Sequence, residues 1–321
     1  NDYYPLLTSV IILDIIIKNI KMKGRYSKVG KHTFYDIPST SCQDLPCNTN
    51  IHNTNIPRYP KSKYSKINYL CDGSVSTIYE GVAQNSDKVV IKKISKYESW
   101  ISELNTLMKL RNVSKRIVNI IDSYDTFRYV YIVTKLYNGS DLYDNIFDNI
   151  PLSFKRGIII ANEIGNAIKD CHDNNVLHLD IKFENYICTK KTLFDSDDNL
   201  IADIVLTDFG HSEIVDDIHK IRYGVRYGTS YFTCPEGYYY EIFSSKSDVW
   251  SFGICFAILM TGDFPFNGRK REYYKNAIAL SYSDNVNKSS DFIKNILNLC
   301  LCPNPLKRPS MDKVLELINT V

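Results

Sequence analysis

The sequence has few of the features that mark membrane or secreted proteins. The apolar run at residues 6–20 is interrupted by Asp14 and Lys18, and it is shorter than the roughly 20 residues that a membrane-spanning helix needs. No basic segment precedes this run and no small-residue cleavage site follows it. We therefore expect neither a membrane span nor a signal peptide, and the alternative for residues 6–20 is a peripheral helix packed on the protein.

The net charge is also small, and the cysteines form no recognisable motif. The chain has 39 Lys and Arg against 36 Asp and Glu, a formal charge of +3, which does not indicate a nucleic-acid-binding protein. Its nine cysteines have neither the paired spacing of a metal site nor the pattern of a small disulfide-stapled domain. We expect reduced thiols and an intracellular, cytoplasmic protein.

The 321 residues suffice for two lobes with separate cores, and 44% hydrophobic content is that of a globular protein. Residues 23–65 differ from the rest, because basic side chains occur there among Pro, Asn, Ser and Thr with little apolar periodicity. This composition predicts a basic, weakly structured extension over residues 1–65 and a folded domain over residues 66–321.

Within the folded domain, short strands precede long helices. Alternating or β-branched residues predict strands at residues 88–92 and 129–136, and apolar residues at helical spacing predict helices at residues 100–110 and 154–175. Residues 247–260 are apolar on nearly all sides, which is typical of a buried helix.

The residues that carry chemistry are far apart in the chain. His178-Leu179-Asp180-Ile181-Lys182-Phe183-Glu184-Asn185 contains an acid, a base and an amide, Asp208-Phe209-Gly210 follows it, and Lys92 ends a strand far upstream. Transfer of a phosphoryl group from ATP needs positioning, charge neutralisation and oxygen ligands for Mg²⁺. These residue types together predict an ATP phosphotransfer site.

The stretch 178–185 resembles the catalytic loop of eukaryotic protein kinases, written H-R-D-x-K-x-x-N. Residues 228–236 likewise resemble the kinase segment G-T-x-x-Y-x-A-P-E, with Cys234 in place of Ala. The resemblance runs from about residue 66 to the end of the chain. It implies an α+β bilobal fold with a β-rich N-lobe (66–136) that carries one main helix, a hinge near 135–138, and a largely helical C-lobe (137–321).

The resemblance also implies roles for individual side chains. Asp180 would orient the attacking hydroxyl and accept its proton, Lys182 would reach the transferred phosphate, and Asn185 and Asp208 would hold Mg²⁺. Thr229 would hydrogen-bond Asp180 and Lys182, an arrangement of kinases that act on Ser or Thr. The expected partner is a protein substrate with a Ser or Thr hydroxyl.

Other residues would bind the nucleotide. Lys92 would hold the α- and β-phosphates and pair with Glu103, eleven residues further on. The remaining cofactor-binding candidates, from the glycine-rich loop to the hinge, are Leu70, Gly73, Ile78, Val90, Thr134, Lys135, Tyr137 and Asp141. Glu236 and Arg308 would form a buried structural pair.

Two further motifs depart from the family pattern. The glycine-rich loop keeps only its middle glycine, Gly73, with Cys71 and Ser76 at the outer positions, so it predicts weaker phosphate contact. The resemblance implies that residues 211–234 form the activation segment. Leu179 replaces the Arg that pairs with a phosphorylated residue of this segment, so activation through that phosphate is not expected. The alternatives are a pseudokinase that serves as a binding module and a small-molecule kinase of similar fold, against which residues 229–236 and Arg308 argue.

Overall fold

The structure is a computed structural model that describes residues 63–73, 75–98, 100–223 and 228–321. All but the last three residues of the predicted extension at 1–65 lie outside this range. Ser74 of the glycine-rich loop and residues 224–227 of the predicted activation segment also lie outside it.

The N-terminal part of the described chain is a five-stranded antiparallel sheet in the order β1-β2-β3-β5-β4. The strands have β-branched and aromatic residues on alternating faces, and Val89, Ile91 and Ile94 are buried along the third strand. The strands are β1 Tyr64–Asp72, β2 Ser76–Ala83, β3 Lys88–Ser95, β4 Ile120–Asp125 and β5 Tyr129–Lys135.

One helix, α1 (Trp100–Lys109), lies between β3 and β4. Glu103 and Leu107 are four residues apart and both buried, so they lie on one face, one turn from each other. This helix packs against the short 3₁₀ turn Phe209–His211. Glu103 is thereby directed toward the polar residues that follow Thr207.

The rest of the described chain is mostly helical. Its helices are α2 Leu142–Ile146, α3 Phe154–Asp173, α4 Pro235–Tyr240, α5 Ser245–Thr261, α6 Arg271–Ala279, α7 Asp284–Asn287, α8 Asp291–Cys300 and α9 Met311–Ile318. Its short strands are β6 Val176–Leu177, β7 Tyr186–Cys188, β8 Ile204–Leu206, β9 Glu213–Ile214, β10 Arg222–Tyr223 and β11 Ile242–Phe243.

Helix α5 is the centre of the helical part. Fourteen of its residues are buried, as its all-round apolar sequence predicts, and it packs against α3 and α8. Ser244 caps its N-terminus in a capping box with Ser247, and Gly262 ends it in a left-handed conformation. The predicted α+β architecture, a β-rich lobe with one helix and a helical lobe, is confirmed. Over the described residues, no helix has both the length and the apolar character needed to cross a bilayer.

Candidate active site

A cavity of about 470 Å³ opens between the five-stranded sheet and the helical lobe. Its walls come from β2, β3, α1, β5 and the segment after β5 on one side, and from residues around β7 and β8 on the other. Ten residues that the sequence analysis assigned to nucleotide, metal or catalysis line it together: Gly73, Ile78, Val90, Lys92, Glu103, Thr134, Lys135, Tyr137, Asn185 and Asp208.

Two predicted nucleotide-binding residues are not part of this lining. In the pairing of β1 with β2, Tyr69 faces Tyr79 and Cys71 faces Ile78, so Leu70 is the extra residue of a β-bulge. The bulge shifts the side-chain alternation, and Cys71 lines the cavity while Leu70 is exposed. Asp141 instead caps α2, where its Oδ1 accepts the backbone N–H of Asp144 at 2.9 Å.

Lys92 joins two carboxylates across the cavity. Its Nζ lies 2.7 Å from Glu103 Oε1 and 3.0 Å from Asp208 Oδ1, although Asp208 is 116 positions away in the sequence. Burial opposes the charged form of Lys92, but the two carboxylates outweigh burial and raise its pKa. Burial also opposes the ionised form of Asp208, and Lys92 outweighs it, so the pKa of Asp208 is lowered. Both groups are charged at neutral pH.

Asp180 is buried in a second polar cluster, beside Asn185 of the cavity lining. Its Oδ1 accepts the backbone N–H and the hydroxyl of Thr229, both at 2.8 Å, and its Oδ2 lies 3.0 Å from Lys182 Nζ and from Asn185 Nδ2. Burial alone would raise the pKa of Asp180, but Lys182 and Thr229 outweigh it and the pKa is lowered. The carboxylate is therefore held ionised.

The backbone around Asp180 is fixed by buried polar groups. Asp248, on α5, accepts the backbone N–H of His178 at 3.0 Å and of Leu179 at 2.8 Å. The Nδ1 of His178 accepts the N–H of Asp180, so its Nε2 carries the proton and donates to Thr207 O at 3.0 Å. Burial lowers the pKa of His178. This neutral histidine fixes the backbone of the loop, so its role is structural.

Two residues of the cavity lining have side-chain oxygens of the kind that binds magnesium. The amide nitrogen of Asn185 donates to Asp180 O at 2.7 Å and to its Oδ2, so Asn185 Oδ1 is the atom of that amide left for a cation. Asp208 has left-handed backbone dihedrals, φ 56° and ψ 73°, and its side chain is 49% exposed to the cavity. Carboxylate and amide oxygens, completed by phosphate and water, are the ligands that Mg²⁺ prefers.

A buried ion pair lies in the helical lobe. Arg308 Nη1 and Nη2 contact Glu236 Oε1 and Oε2 at 2.6 and 2.7 Å, and the Arg308 side chain is fully buried. Arg308 also donates to the carbonyls of Lys246 and Cys302. The pair connects the start of α4 to the loop before α9, as the sequence predicts.

The cavity also contains residues that the sequence analysis did not assign to it. Leu107 could have been found from its helical spacing to Glu103, whereas Ile187 lies on β7 after the turn that contains Asn185 and has no such signal. The other lining residues have no sequence signal that assigns them to a cavity: Cys71, Ser76, Val118, Ile132, Leu136, Gly139, Glu184 and Thr207.

Leu179, where the family has Arg, points into an apolar cluster. It packs with Leu177, Val215 and Phe243, and Ile218 lies against the same cluster. Val215 and Ile218 belong to the predicted activation segment, so this segment is attached to the Asp180 loop through apolar contacts.

Comparison with known proteins agrees with this geometry. A family model described as the protein kinase domain matches residues 64–317. A probable myosin light chain kinase of Dictyostelium discoideum is 27% identical over 248 residues, which is 74% of this chain and 61% of that protein. A calcium/calmodulin-dependent protein kinase type I of Schizosaccharomyces pombe is 25% identical over 257 residues, 77% of this chain and 75% of that protein.

A calcium/calmodulin-dependent protein kinase type 1 of Caenorhabditis briggsae is 29% identical over 243 residues, 72% of this chain and 62% of that protein. The chain thus spans about three fifths of the Dictyostelium and Caenorhabditis proteins. The family match covers most of the chain, in the same region as the lobes and the cavity described above. The chain belongs to the protein kinase family.

Proposed function

We propose that this protein transfers the γ-phosphoryl group of ATP to Ser or Thr hydroxyls of a protein substrate. The observation that supports the proposal most is the meeting of Lys92 with Glu103 and Asp208 in a cavity that Asn185 also lines. A cation that contacts the phosphates, two oxygen ligands for magnesium and a nearby ionised carboxylate are the groups that phosphoryl transfer requires.

In this proposal each residue has one task. Lys92 binds the α- and β-phosphates, and Glu103 holds its ammonium in place. Asn185 and Asp208 hold Mg²⁺, which would neutralise phosphate charge when bound. Asp180 orients the substrate hydroxyl and accepts its proton, and its lowered pKa keeps it ionised for that role.

The preference for Ser or Thr is inferred from Lys182 and Thr229. Lys182 Nζ lies 2.7 Å from Thr229 Oγ1, and both contact Asp180. The family resemblance associates this arrangement with kinases of the Ser/Thr class. The predicted extension is proposed to lie outside the catalytic domain up to residue 63, because Tyr64 and Ser65 belong to β1.

The test is transfer of labelled γ-phosphate from Mg-ATP to a degenerate set of Ser/Thr peptides and to the protein itself. Asp180→Asn should lower transfer at least about 100-fold, because general-base catalysis typically contributes that much or more. Asp284→Asn, which neutralises an exposed carboxylate on α7, is the matched control and should keep wild-type activity. Equal labelling by wild type and Asp180→Asn would contradict the assignment of the base.

Nucleotide binding should be measured in parallel by the ATP-dependent shift of the thermal unfolding midpoint. Wild-type protein that binds Mg-ATP and transfers nothing would favour the pseudokinase alternative, in which the altered glycine-rich loop no longer supports transfer.

A further inference from the structure

An exposed group of cations lies outside the cavity described above. Arg269, Lys270, Arg271 and Lys275 are all exposed, and we call these four residues the cationic ridge. Glu272 is the one acid between positions 269 and 275, so this stretch has four cations and one anion. Across the part of the chain that the structure describes, none of the four cations forms a salt bridge.

The ridge is attached to the segment that contacts Asp180. The backbone N–H of Lys270 donates to the hydroxyl of Tyr231 at 3.3 Å, and the hydroxyl of Tyr273 donates to Tyr231 O at 2.9 Å. The rings of Tyr231 and Tyr273 also pack edge to face, with centroids 4.9 Å apart. Tyr231 is two residues after Thr229, and two residues span at most about 7 Å.

Thr229 contacts Asp180 directly, and Tyr231 of the same segment contacts the backbone of Lys270. The ridge is therefore connected through Tyr231 to the residues beside the proposed base. A peptide whose hydroxyl sits at Asp180 would therefore bring flanking residues to the ridge.

The local structure does not explain these charges. Lys270 is the N-cap of α6 and Arg271 its first residue, and cations are electrostatically unfavourable at the positive end of a helix. Some other cations of this protein are neutralised internally; Lys169, for example, contacts Asp173 and Asp312 at 2.6 and 2.8 Å. The ridge cations are therefore available to an anion from outside the described chain.

Resting on the proposed function, the structure assigns the ridge to substrate recognition: it binds carboxylate or phosphoryl groups of the protein substrate near the acceptor Ser or Thr. Arg269 and Arg271 can each bind such a group with two parallel hydrogen bonds, and Lys270 and Lys275 add charge. The ridge is exposed to solvent, so its contribution falls as salt concentration rises.

The test compares four versions of one Ser-centred peptide library with the full chain as enzyme. Flanking positions are occupied by Asp and Glu, by their uncharged twins Asn and Gln, by phosphoserine, or by Lys and Arg. We expect kcat/KM to be about tenfold higher for an anionic library than for the Asn/Gln library, since two or three exposed ion pairs sum to about that factor. Comparison of the Asp/Glu and phosphoserine arms tells which anion is preferred.

The triple variant Arg269→Ala/Lys270→Ala/Arg271→Ala should lose that preference. Its backbone contact to Tyr231 is kept, because Lys270 donates from its main chain. The matched control is Lys190→Ala/Lys191→Ala/Lys307→Ala, which removes three exposed charges elsewhere and should retain the preference. Equal rates on the anionic and Asn/Gln libraries, faster reaction with the Lys/Arg library, or an equal loss for all libraries in the ridge variant would overturn the assignment.

Binding without ATP separates this proposal from the proposed function. Fluorescence anisotropy with labelled peptides should show anionic peptides binding wild type about tenfold more tightly than the uncharged twin, even if no transfer occurs. Binding of the two peptides with equal affinity would refute the ridge whether or not the protein is an active kinase. A single-stranded oligonucleotide that binds as tightly as the anionic peptide, and is lost in the ridge variant, would also refute it.

Discussion

At the scale of single residues, the geometry of Asp180 depends on one glycine. Gly228 has φ +85°, and a Cβ built on it would lie 2.7 Å from the carbonyl oxygen of Leu179. Any other residue would therefore be strained and would press on the backbone that carries Asp180. The next residue, Thr229, makes two of the hydrogen bonds that hold the carboxylate.

We predict that Gly228→Ala lowers kcat at least about tenfold, because loss of about 1.4 kcal/mol of correct positioning has that effect. ATP affinity should change much less, since Gly228 does not line the cavity. Gly262→Ala is the control: it has φ +78° and a Cβ contact of 2.8 Å with Pro151, yet it lies at the end of α5. Equal kinetic effects of the two variants at matched stability would contradict the prediction.

The charge state of Asp180 leads to a pH prediction. Its folded-state pKa is lowered, so the acid limb of the pH dependence of kcat/KM should lie below the ordinary range of an aspartate. Lys182→Met removes the cation that lies 3.0 Å from the carboxylate, so the pKa of Asp180 should rise and the acid limb should move to higher pH.

The pH dependence of residual transfer in Lys182→Met checks this shift, with Lys288→Met, an exposed lysine of the helical lobe, as control. An acid limb that stays in place in Lys182→Met would mean that another group titrates.

At the scale of elements, the Glu236–Arg308 pair determines how α4 is attached to the helical lobe. Both partners are buried, and the contact is bidentate. Glu236→Gln would leave the Arg308 cation buried without its counter-charge, which costs about 3–5 kcal/mol of unfolding free energy. Urea denaturation measures the loss. Lys313→Ala, which breaks the exposed pair with Glu316, should cost no more than about 1 kcal/mol, and equal losses in the two variants would contradict this account.

The individual helices and strands also show what could be predicted from the sequence. Helix α5 was predicted correctly because it is a long run that is apolar on nearly all sides, and strands β3 and β5 because they are rich in β-branched and aromatic residues. The bulge at Leu70 could not be predicted, since one inserted residue changes which side chains face the cavity without changing composition. The two-residue pairing of β10 with β11 is likewise too short to leave a periodic pattern.

At the scale of the whole molecule, the candidate site is a convergence of distant residues. Periodicity placed Lys92 on a strand and Glu103 on a helix, but it contains no information on whether Asp208 lies near them. Only the order and spacing of the family's motifs predicted that convergence, and the 3.0 Å contact of Lys92 with Asp208 agrees with it. The partners of Leu179 could not be predicted in this way, because this residue departs from the family pattern.

Those partners bear on how the proposed kinase activity is regulated. Leu179 is 6% exposed and packs with Leu177, Val215 and Phe243, so burial of apolar surface attaches the activation segment to the Asp180 loop. We predict that treatment with a broad-specificity phosphatase, verified by mass spectrometry and followed by its removal, leaves at least about half of kcat. Leu179→Arg should lower activity, because burying an unpaired cation opens the cluster. A tenfold loss in wild type on dephosphorylation, reversed by rephosphorylation, would show instead that a phosphate holds the segment.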